Sequence, residues 1–209
     1  MSALTVNEDL LDLYNARSAR GEAVFRVYEP ESLRIVLGAG GVAERDVHVE
    51  AAAADSVPLL RRLGGGGTVL LSPGQLVLAL VTEVASPFHN VDYARRINSY
   101  IAEALAGLGV GEAADRGISD LAIGERKILG TSLYRRRRLL FYQASLLVDV
   151  DLRLFSRYLR YPHKVPDYRR EREHQDFCTT LKLEGFDLPV SRIAASLSVL
   201  LPERLKGLG

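Results

Sequence analysis

Cysteine is nearly absent from this chain, and other absences narrow its class further. Of 209 residues one is a cysteine, Cys178, so no internal disulfide framework can form. The formal net charge is +1, which argues against bulk binding of nucleic acid. No stretch approaches the roughly 20 consecutive apolar residues of a membrane span, and the charged N-terminal stretch lacks the apolar core of a secretory signal. We therefore expect a cytoplasmic protein that binds neither nucleic acid nor a membrane.

Metal ligands are also sparse. The four histidines, His48, His89, His163 and His174, are scattered without the spacing of zinc ligands, so we expect no structural zinc. What remains is an ordinary globular composition, with 47% apolar and 25% charged residues. A chain of this length is within reach of one large domain with a sizeable core.

The hydrophobic pattern predicts strands and helices that do not alternate regularly. It predicts strands at 23–30 and 32–38, a hairpin at 68–84 with its turn at Pro73-Gly74, and a run of strands over 118–152. It predicts helices at 4–20, 42–57, 91–110, 152–161 and 187–207, and a polar, mobile loop at 162–177. Consecutive strands are close enough to form hairpins. The fold class predicted is therefore α+β, with mixed, largely antiparallel sheets flanked by helices.

The first candidate site is the stretch "RRLGGGGTV" at residues 61–69. Successive glycines let backbone N–H groups approach an anion such as phosphate, and Arg62 supplies a charge for the same anion. The run is not a Walker motif, because no Lys-Ser or Lys-Thr follows it and a strand follows instead of a helix. It is not a dinucleotide-binding motif in a βαβ setting either. A flexible loop explains the run equally well.

The second candidate site is "SDLAIGERKILGTS" at residues 119–132. Lys127 lies in an apolar strand, where a lysine usually points to solvent. If its side chain turns inward, the ammonium group is able to hold a carboxylate or phosphate. Asp120 is able to hold a magnesium ion near a nucleotide, or to cap a turn. Both alternatives remain open for each residue.

Together and in this order, the two stretches resemble the lipoate–protein ligase A family, within the superfamily of biotin and lipoate ligases and octanoyltransferases. That family has an arginine pair, a glycine triplet and an Ala-Val pair entering a strand. It then has Asn-Asp followed by Lys-Ile-x-Gly-Ser-Ala, which correspond here to Ser119-Asp120 and to "KILGTS" at 127–132. The likeness spans roughly residues 5–185. It implies one catalytic domain over 1–209, with the fold of class II aminoacyl-tRNA synthetases and biotin ligases.

The resemblance implies an ATP-dependent enzyme with Mg²⁺. Such ligases convert lipoate, or octanoate, to an acyl-adenylate and pass the acyl group to a lysine of a lipoyl carrier domain. Glycine cleavage H protein-like domains and dehydrogenase E2 lipoyl domains are carriers of this kind. Family analogy makes Lys127 catalytic, stabilising charge on the carbonyl and phosphate oxygens, and Asp120 the metal ligand. The implied binding residues are Arg62, Gly65, Gly66, Gly67, Thr68, Val69, Leu70, Asp120 and Lys127.

Further expectations concern the acyl chain and the carrier. Leu70, Leu78 and Leu80 are candidate walls of an apolar tunnel for the acyl chain. The arginine run at 135–138 is a candidate docking patch for an acidic carrier, or simply a solvated hairpin tip. Relatives often have serine where Gly64 lies, so Gly64→Ser is expected to be tolerated, whereas Gly66→Val is not.

Departures from the family pattern keep two alternatives open. Gln143-Ala144 replaces His-Gly, and Gln75 replaces an asparagine in a turn. The chain lacks room for the accessory C-terminal domain of many bacterial ligases, so a separate accessory-domain chain is a candidate partner. One alternative is an octanoyl or lipoyl transferase in which Cys178 forms a thioester without ATP, which requires a lowered thiol pKa. The other is a degenerate, non-catalytic lipoyl-binding module. The ligase is favoured because it accounts for Lys127, Asp120 and the glycines without the cysteine.

Overall fold

The computed structural model describes residues 5–6, 12–13, 15, 23–85 and 89–208. The helix predicted over 4–20 falls almost wholly outside the described residues. The strands are β1 Thr5–Val6, β2 Val24–Tyr28, β3 Arg34–Leu37, β4 Leu59–Arg61, β5 Val69–Leu71, β6 Gln75–Glu83, β7 Ala113–Arg116, β8 Asp120–Ile123, β9 Arg126–Arg136 and β10 Leu139–Leu147. The helices described are α1 Ala43–Asp46, α2 Val49–Ala54, α3 Asn90–Gly107, α4 Arg153–Tyr158, α5 His174–Phe177 and α6 Val190–Leu205, with a 3-10 turn at Asp167–Arg169.

The larger sheet has six strands in the order β2–β6–β10–β9–β8–β7, and all neighbouring strands are antiparallel. Its β6 strand is an apolar run whose residues are buried up to Thr82, as expected of a strand covered on both faces. The turns before and after β9 place Gly124 and Arg137 at φ of 57° and 55°. The predicted run of strands and both of its turns are confirmed.

Helices α3 and α6 cover one face of the larger sheet. Every second residue of β6 and β10 packs against apolar residues of both helices in one cluster. Full burial of each leucine or isoleucine there stabilises the fold by about 1.5–3 kcal/mol. The cluster includes Leu76, Leu78, Leu80, Leu140, Tyr142, Ala144, Ile97, Ile101, Leu105, Ile193, Leu197 and Leu201.

The smaller sheet packs on the opposite face of the larger one. Its order is β1–β4–β3–β5, with β4 parallel to both of its neighbours and β5 antiparallel to β3. Val36 of β3 and Leu71 of β5 contact Val77 of β6. The predicted α+β class with mixed, largely antiparallel sheets is therefore confirmed.

The predicted hairpin at 68–84 is wrong, although its two strands exist. Strand β5 belongs to the smaller sheet and β6 to the larger. The Pro73-Gly74 turn therefore carries the chain between sheets. An added Cβ at Gly74 would lie 2.2 Å from the carbonyl oxygen of Asp149. The segment that follows β10 therefore fills the space beside this turn.

The predicted helix at 42–57 is divided into α1 and α2. Val47, between them, forms a β-bridge with Leu159 and is completely buried against α4. Burial of this valine overrides the local helix propensity of the alanine-rich stretch. Across the described residues, no helix has the length and apolar character needed to span a membrane.

Replacing Gly74 with alanine is expected to lower the free energy of unfolding more than replacing Gly185. Both glycines have positive φ, 83° and 91°, which costs an L-residue about 1–2 kcal/mol. An added Cβ at Gly185 meets nothing within 4 Å, unlike at Gly74. Overpacking against Asp149 brings the loss in free energy of unfolding for Gly74→Ala to about 3 kcal/mol or more. Urea unfolding followed by circular dichroism measures both variants, and equal losses would show that the turn relaxes freely.

Candidate active site

The arginine pair braces two adjacent turns. Arg61 donates from Nη1 to the carbonyl oxygens of Gly38, Ala39 and Gly41, at 3.0, 3.1 and 2.8 Å. Arg62 lies beneath residues 64–68, which we call the glycine loop, and is 5% exposed. Burial lowers the pKa of Arg62 to about 10, so the guanidinium stays charged at neutral pH.

Arg62 holds the glycine loop by its carbonyl groups. Its Nη2 donates to the carbonyl oxygens of Gly65 and Gly67, at 2.8 and 2.6 Å. Its Nη1 donates to the carbonyl oxygen of Val36 at 3.2 Å, and its Nε to Ser132 Oγ at 2.8 Å. Four of the five guanidinium N–H groups are therefore used inside the protein.

These bonds fix the direction of the loop's amides. In a trans peptide the carbonyl of one residue and the N–H of the next point in opposite directions. Because the Gly65 and Gly67 carbonyls point at Arg62, the N–H groups of Gly66 and Thr68 point away from it. In the part of the chain that the structure describes, neither N–H donates to a protein acceptor. The loop therefore presents free donors of the kind that bind an oxyanion.

The glycines of the loop differ in the space around them. Gly66 has φ of 91°, and an added Cβ there would lie 3.2 Å from Arg62 Nη2. At Gly64 an added Cβ would lie 2.1 Å from Ser132 Oγ and 3.2 Å from the carbonyl oxygen of Leu133. The expectation that Gly64→Ser is tolerated is therefore opposed by the packing. Gly65 and Gly67 have nothing within 4 Å of an added Cβ.

Lys127 turns inward and its side chain lies over Gly130. An added Cβ on Gly130 would meet Lys127 Cε and Nζ at 2.9 Å each, so the missing side chain makes room for the ammonium group. Lys127 Nζ forms an ion pair with Asp120 Oδ1 at 2.7 Å, and 26% of the lysine side chain remains exposed. The solvent-facing alternative for Lys127 is thereby excluded, and Asp120 is its partner.

Tyr168 completes this arrangement. Its hydroxyl donates to Asp120 Oδ2 at 2.9 Å. Burial, and then the negative charge of Asp120, raise the pKa of Tyr168 well above its usual value, so the hydroxyl stays protonated. The sequence pattern did not single out Tyr168, because it lies in a polar stretch 48 residues from Asp120.

Both sequence motifs meet on one face of the larger sheet. Gly130 and Ser132 alternate with residues that face the helices, so they point to the opposite face. Lys127 lies over Gly130, and the glycine loop contacts Ser132, whose Oγ also donates to the Gly65 carbonyl at 2.9 Å. Gly130 and Ser132 are about 7 Å apart along β9. We call the space between the loop and this face the cleft.

The predicted binding residues at the end of the loop have other contacts. Thr68 Oγ1 donates to Asp46 Oδ2 at 3.3 Å, and Val69 opens β5. Leu70 is buried in a cluster with Ile35 and Leu37, whereas Leu78 and Leu80 face the helices. These three leucines therefore do not line one tunnel. Leu70 as an acyl contact stays a prediction.

The described residues contain no cluster of three acidic, histidine or cysteine side chains able to hold a metal ion. Both oxygens of Asp120 are already engaged, by Lys127 and by Tyr168. Each carboxylate oxygen is able to accept a second contact, and Mg²⁺ takes one or two carboxylates together with substrate phosphates, so Asp120 would hold the ion together with those phosphates. The metal assignment of Asp120 stays a prediction, and no step below depends on it.

Cys178 lies beside Lys127, and its side chain is a buried free thiol. The two residues form a parallel β-bridge, and the amide of Thr179 donates to the Lys127 carbonyl at 2.9 Å. Burial raises the pKa of the Cys178 thiol, and the charge of Lys127 offsets this only in part. Burial, then the charges of Arg169 and Lys127, lower the pKa of His174 to about 4, so no imidazolium is available to help at neutral pH.

The stretch 162–177, predicted as a mobile loop, has defined structure. The Arg169 guanidinium lies 4.7 Å from the ring centroid of Tyr161 and 4.8 Å from that of Phe177. Arg172 donates to the carbonyl oxygens of Tyr168 and Glu125. Arginine side chains that stack on aromatic rings allow a stretch of polar residues to pack against the protein. The composition of the stretch does not indicate this packing. This packing holds Tyr168 against Asp120.

Comparison with known proteins identifies the family of this chain. The model of the family described as "Lipoyl protein ligase A/B catalytic domain" matches residues 2–198. A putative lipoate-protein ligase A of Aeropyrum pernix is 30% identical over 141 residues, covering 66% of this chain. This chain spans about half of that relative, 51% of its length.

Two solved structures share the fold. One is described as a bipartite lipoate protein ligase and its E2 lipoyl domain from Thermoplasma acidophilum. It has a TM-score of 0.78 at 21% identity and covers 99% of this chain and 84% of that one. The other is a lipoate-protein ligase A bound with ATP, with a TM-score of 0.76 at 21% identity, covering 97% and 84%. At such identity the likeness shows the fold alone. The family model, however, spans nearly the whole sequence, and the chain belongs to the lipoyl protein ligase A/B catalytic domain family.

Proposed function

We propose that this chain is a lipoate–protein ligase, which activates lipoate or octanoate with ATP and transfers the acyl group to a lysine of a lipoyl carrier domain. The observation that supports it best is the meeting of Lys127 and the glycine loop on one face of the sheet. A positive charge and free amide donors together suit an acyl phosphate. Family membership and the structural relative that binds ATP give independent support.

Activation begins with attack of the acyl carboxylate on the α-phosphorus of ATP, with pyrophosphate leaving. Negative charge builds on the oxygens of the phosphorus in this step. The amides of Gly66 and Thr68 would donate to those oxygens, and the Lys127 ammonium would hold the carboxylate in place. Asp120 and Tyr168 keep that ammonium over Gly130 before the substrate arrives. Preorganised donors of this kind are worth more than flexible ones, because they need no reorganisation during the reaction.

Arg62 takes a different role from the one that its sequence context suggests. We propose that it braces the loop instead of binding phosphate, because nearly all its N–H groups are used on loop and strand oxygens. Breaking these bonds to reach a ligand would leave buried carbonyls unpaired, at a cost of about 1–3 kcal/mol for each group.

Transfer requires no nucleophile from the protein. The carrier's lysine amine attacks the acyl carbonyl, AMP leaves with the bonding electron pair, and the amine loses a proton to form the amide. The carbonyl oxygen becomes negative as the amine adds, and Lys127 is placed to stabilise it. The raised pKa of Cys178 disfavours the thioester alternative.

The carrier and an accessory chain are the proposed partners. One structural relative is described as a bipartite ligase with an E2 lipoyl domain, which supports both. The arginines at 135–138 lie at the β9–β10 turn, where Arg138 pairs with Glu83 and Arg135 donates to Asn90. A docking role for this turn stays a prediction. So do the placement in the cytoplasm and a single domain over 1–209.

Lys127→Ala is expected to slow lipoylation strongly, whereas Cys178→Ser is not. Loss of one charge-stabilising donor lowers turnover about 100- to 1,000-fold, and the ligase mechanism has no use for the thiol. The assay incubates the protein with lipoate, Mg-ATP and a lipoyl carrier domain, with a candidate accessory chain added in parallel, and follows the carrier's mass. Acyl transfer from octanoyl carrier protein without ATP, lost in Cys178→Ser, would replace the ligase with the transferase. No modification under any condition would favour a binding module.

The effect of a substitution in the glycine loop on adenylate formation is expected to depend on the space around the glycine that is replaced. Gly65→Ala should keep adenylate formation within about twofold, since its Cβ enters open space. Gly66→Val should lose it, because its φ of 91° is strained for an L-residue and the side chain meets Arg62. Gly64→Ser should also lose it, by displacing Ser132 from Arg62. Pyrophosphate release measures all three variants, and equal rates would show that the loop is only a linker.

A further inference from the structure

One glutamine on the floor of the cleft has no hydrogen-bond partner among the residues that the structure describes. Gln143 is 8% exposed. Its side-chain amide makes no hydrogen bond to any residue in the described ranges, yet it is not sealed from solvent. Because the amide still reaches solvent, water is able to pair with it in the ligand-free protein, and a polar ligand in the cleft would replace that water. Inside a candidate site, such a group points to a ligand that supplies the missing partner.

Small residues flank Gln143 across the strands on the same face of the sheet, with Arg26 of β2 beyond Ala79 and Phe141 before Gln143 on β10. Its direct neighbours across the strands are Ala79 on β6 and Ser132 on β9. Ser145, two residues along β10, lies opposite Gly130. These short side chains leave room above the sheet, where the glycine loop passes over Ser132. Among Ala79, Ser132, Gly130 and Ser145, Gln143 supplies the long polar side chain, and Arg26 lies one strand further away, beyond Ala79.

Gln143 and Lys127 approach the same point from two sides. Gly130 and Gln143 are diagonal neighbours on adjacent strands, about 7–8 Å apart. Lys127 Nζ lies 2.9 Å from the Cβ position of Gly130. A group between the lysine ammonium and the glutamine amide is therefore in reach of both. A carboxylate fits this pair, because one of its oxygens takes the charge and the other accepts the N–H of a neutral amide.

We propose that Gln143 binds the carboxylate of the acyl substrate, donating from Nε2 to one oxygen while Lys127 pairs with the other. This inference rests on the proposed ligase function. The aliphatic remainder of the substrate has no acceptor for the amide, so the carboxylate is the part of the acyl substrate that is able to pair with Gln143. Once the adenylate forms, its carbonyl oxygen stays within reach of both the Gln143 N–H and the Lys127 ammonium. The histidine of the resembling family offers a ring N–H, so Gln143→His should preserve the contact.

The test measures octanoate binding by calorimetry without ATP. Gln143→Met keeps the length of the side chain and removes the donor, so octanoate affinity should fall about 10- to 100-fold, as for loss of a hydrogen bond to a charged group. Binding of 1-octanol, which has the chain but no carboxylate, should change less than twofold. Gln143→His should retain octanoate affinity within about fivefold. The matched control is Gln175→Met, since Gln175 is exposed and bonds Ser156.

The possible results separate this inference from the ligase proposal. Unchanged or tighter octanoate binding by Gln143→Met would overturn it, placing the aliphatic chain against residue 143. Equal losses for octanoate and octanol would also overturn it, since that pattern reports packing. Adenylate formation by the wild-type protein tests the ligase separately. Wild-type protein that binds octanoate through Gln143 and forms no adenylate would remove the ligase and keep the carboxylate site. Thermal unfolding of each variant verifies that the fold is intact.

Discussion

The buried guanidinium of Arg62 is the interaction on which the candidate site depends. It links three separate parts of the chain: the carbonyl of Val36 in β3, two carbonyls of the glycine loop, and the hydroxyl of Ser132 in β9. A buried charge is tolerated only when it is well bonded. Removing a partner of a buried charge lowers the stability of the fold by about 3–5 kcal/mol. The loop therefore cannot relax independently of the two sheets. The run of four glycines is ordered here because an arginine holds the carbonyls of Gly65 and Gly67, while the Gly64 carbonyl accepts from the Ala39 amide.

The same brace explains why the glycines are needed. Gly38, at the end of β3, comes so close to the loop that an added Cβ would lie 2.2 Å from the Gly66 carbonyl oxygen. Gly64 meets Ser132 at similar range, and Gly66 requires a positive φ. With the carbonyls turned down to Arg62, the amides of Gly66 and Thr68 are left facing the other way. Lys127, held by Asp120 and Tyr168, supplies the positive charge on the same side of the larger sheet.

Much of this was accessible from the sequence. Hydrophobic periodicity predicted β2, β3, the β8–β10 run and helices α3, α4 and α6, since each is governed by local pattern, whereas β7 lies before the predicted run. The ordered pair of motifs predicted that Lys127 faces a site with the glycine loop. Local pattern failed where distant contacts decide the outcome. It paired β5 with β6, joined α1 to α2 across the buried Val47, and treated the stretch around Tyr168 as mobile.

Sequence reasoning missed or misassigned some site residues for one physical reason: their roles depend on contacts with residues distant in the chain. Whether Arg62 faces a ligand or the loop depends on where the Val36 and Gly65 carbonyls lie, and no one-dimensional pattern records that. Tyr168 reaches Asp120 because Arg169 stacks between two rings. Gln143 looked like a departure from a family motif, and its position beside Ser132 in the strand ladder brings it into the cleft.

Hydrogen exchange of the ligand-free protein tests the role of Arg62 most directly. In Arg62→Lys, exchange should accelerate in peptides covering 36–41 and 62–71, because the amides of Ala39 and Gly65 are bonded to Gly64 and Leu133 only while the loop is braced. Arg61→Lys, the matched control, should accelerate exchange in the first peptide and leave the second unchanged. Unchanged exchange in Arg62→Lys, together with a lower affinity for ATP, would show that Arg62 is a phosphate ligand and contradict the account.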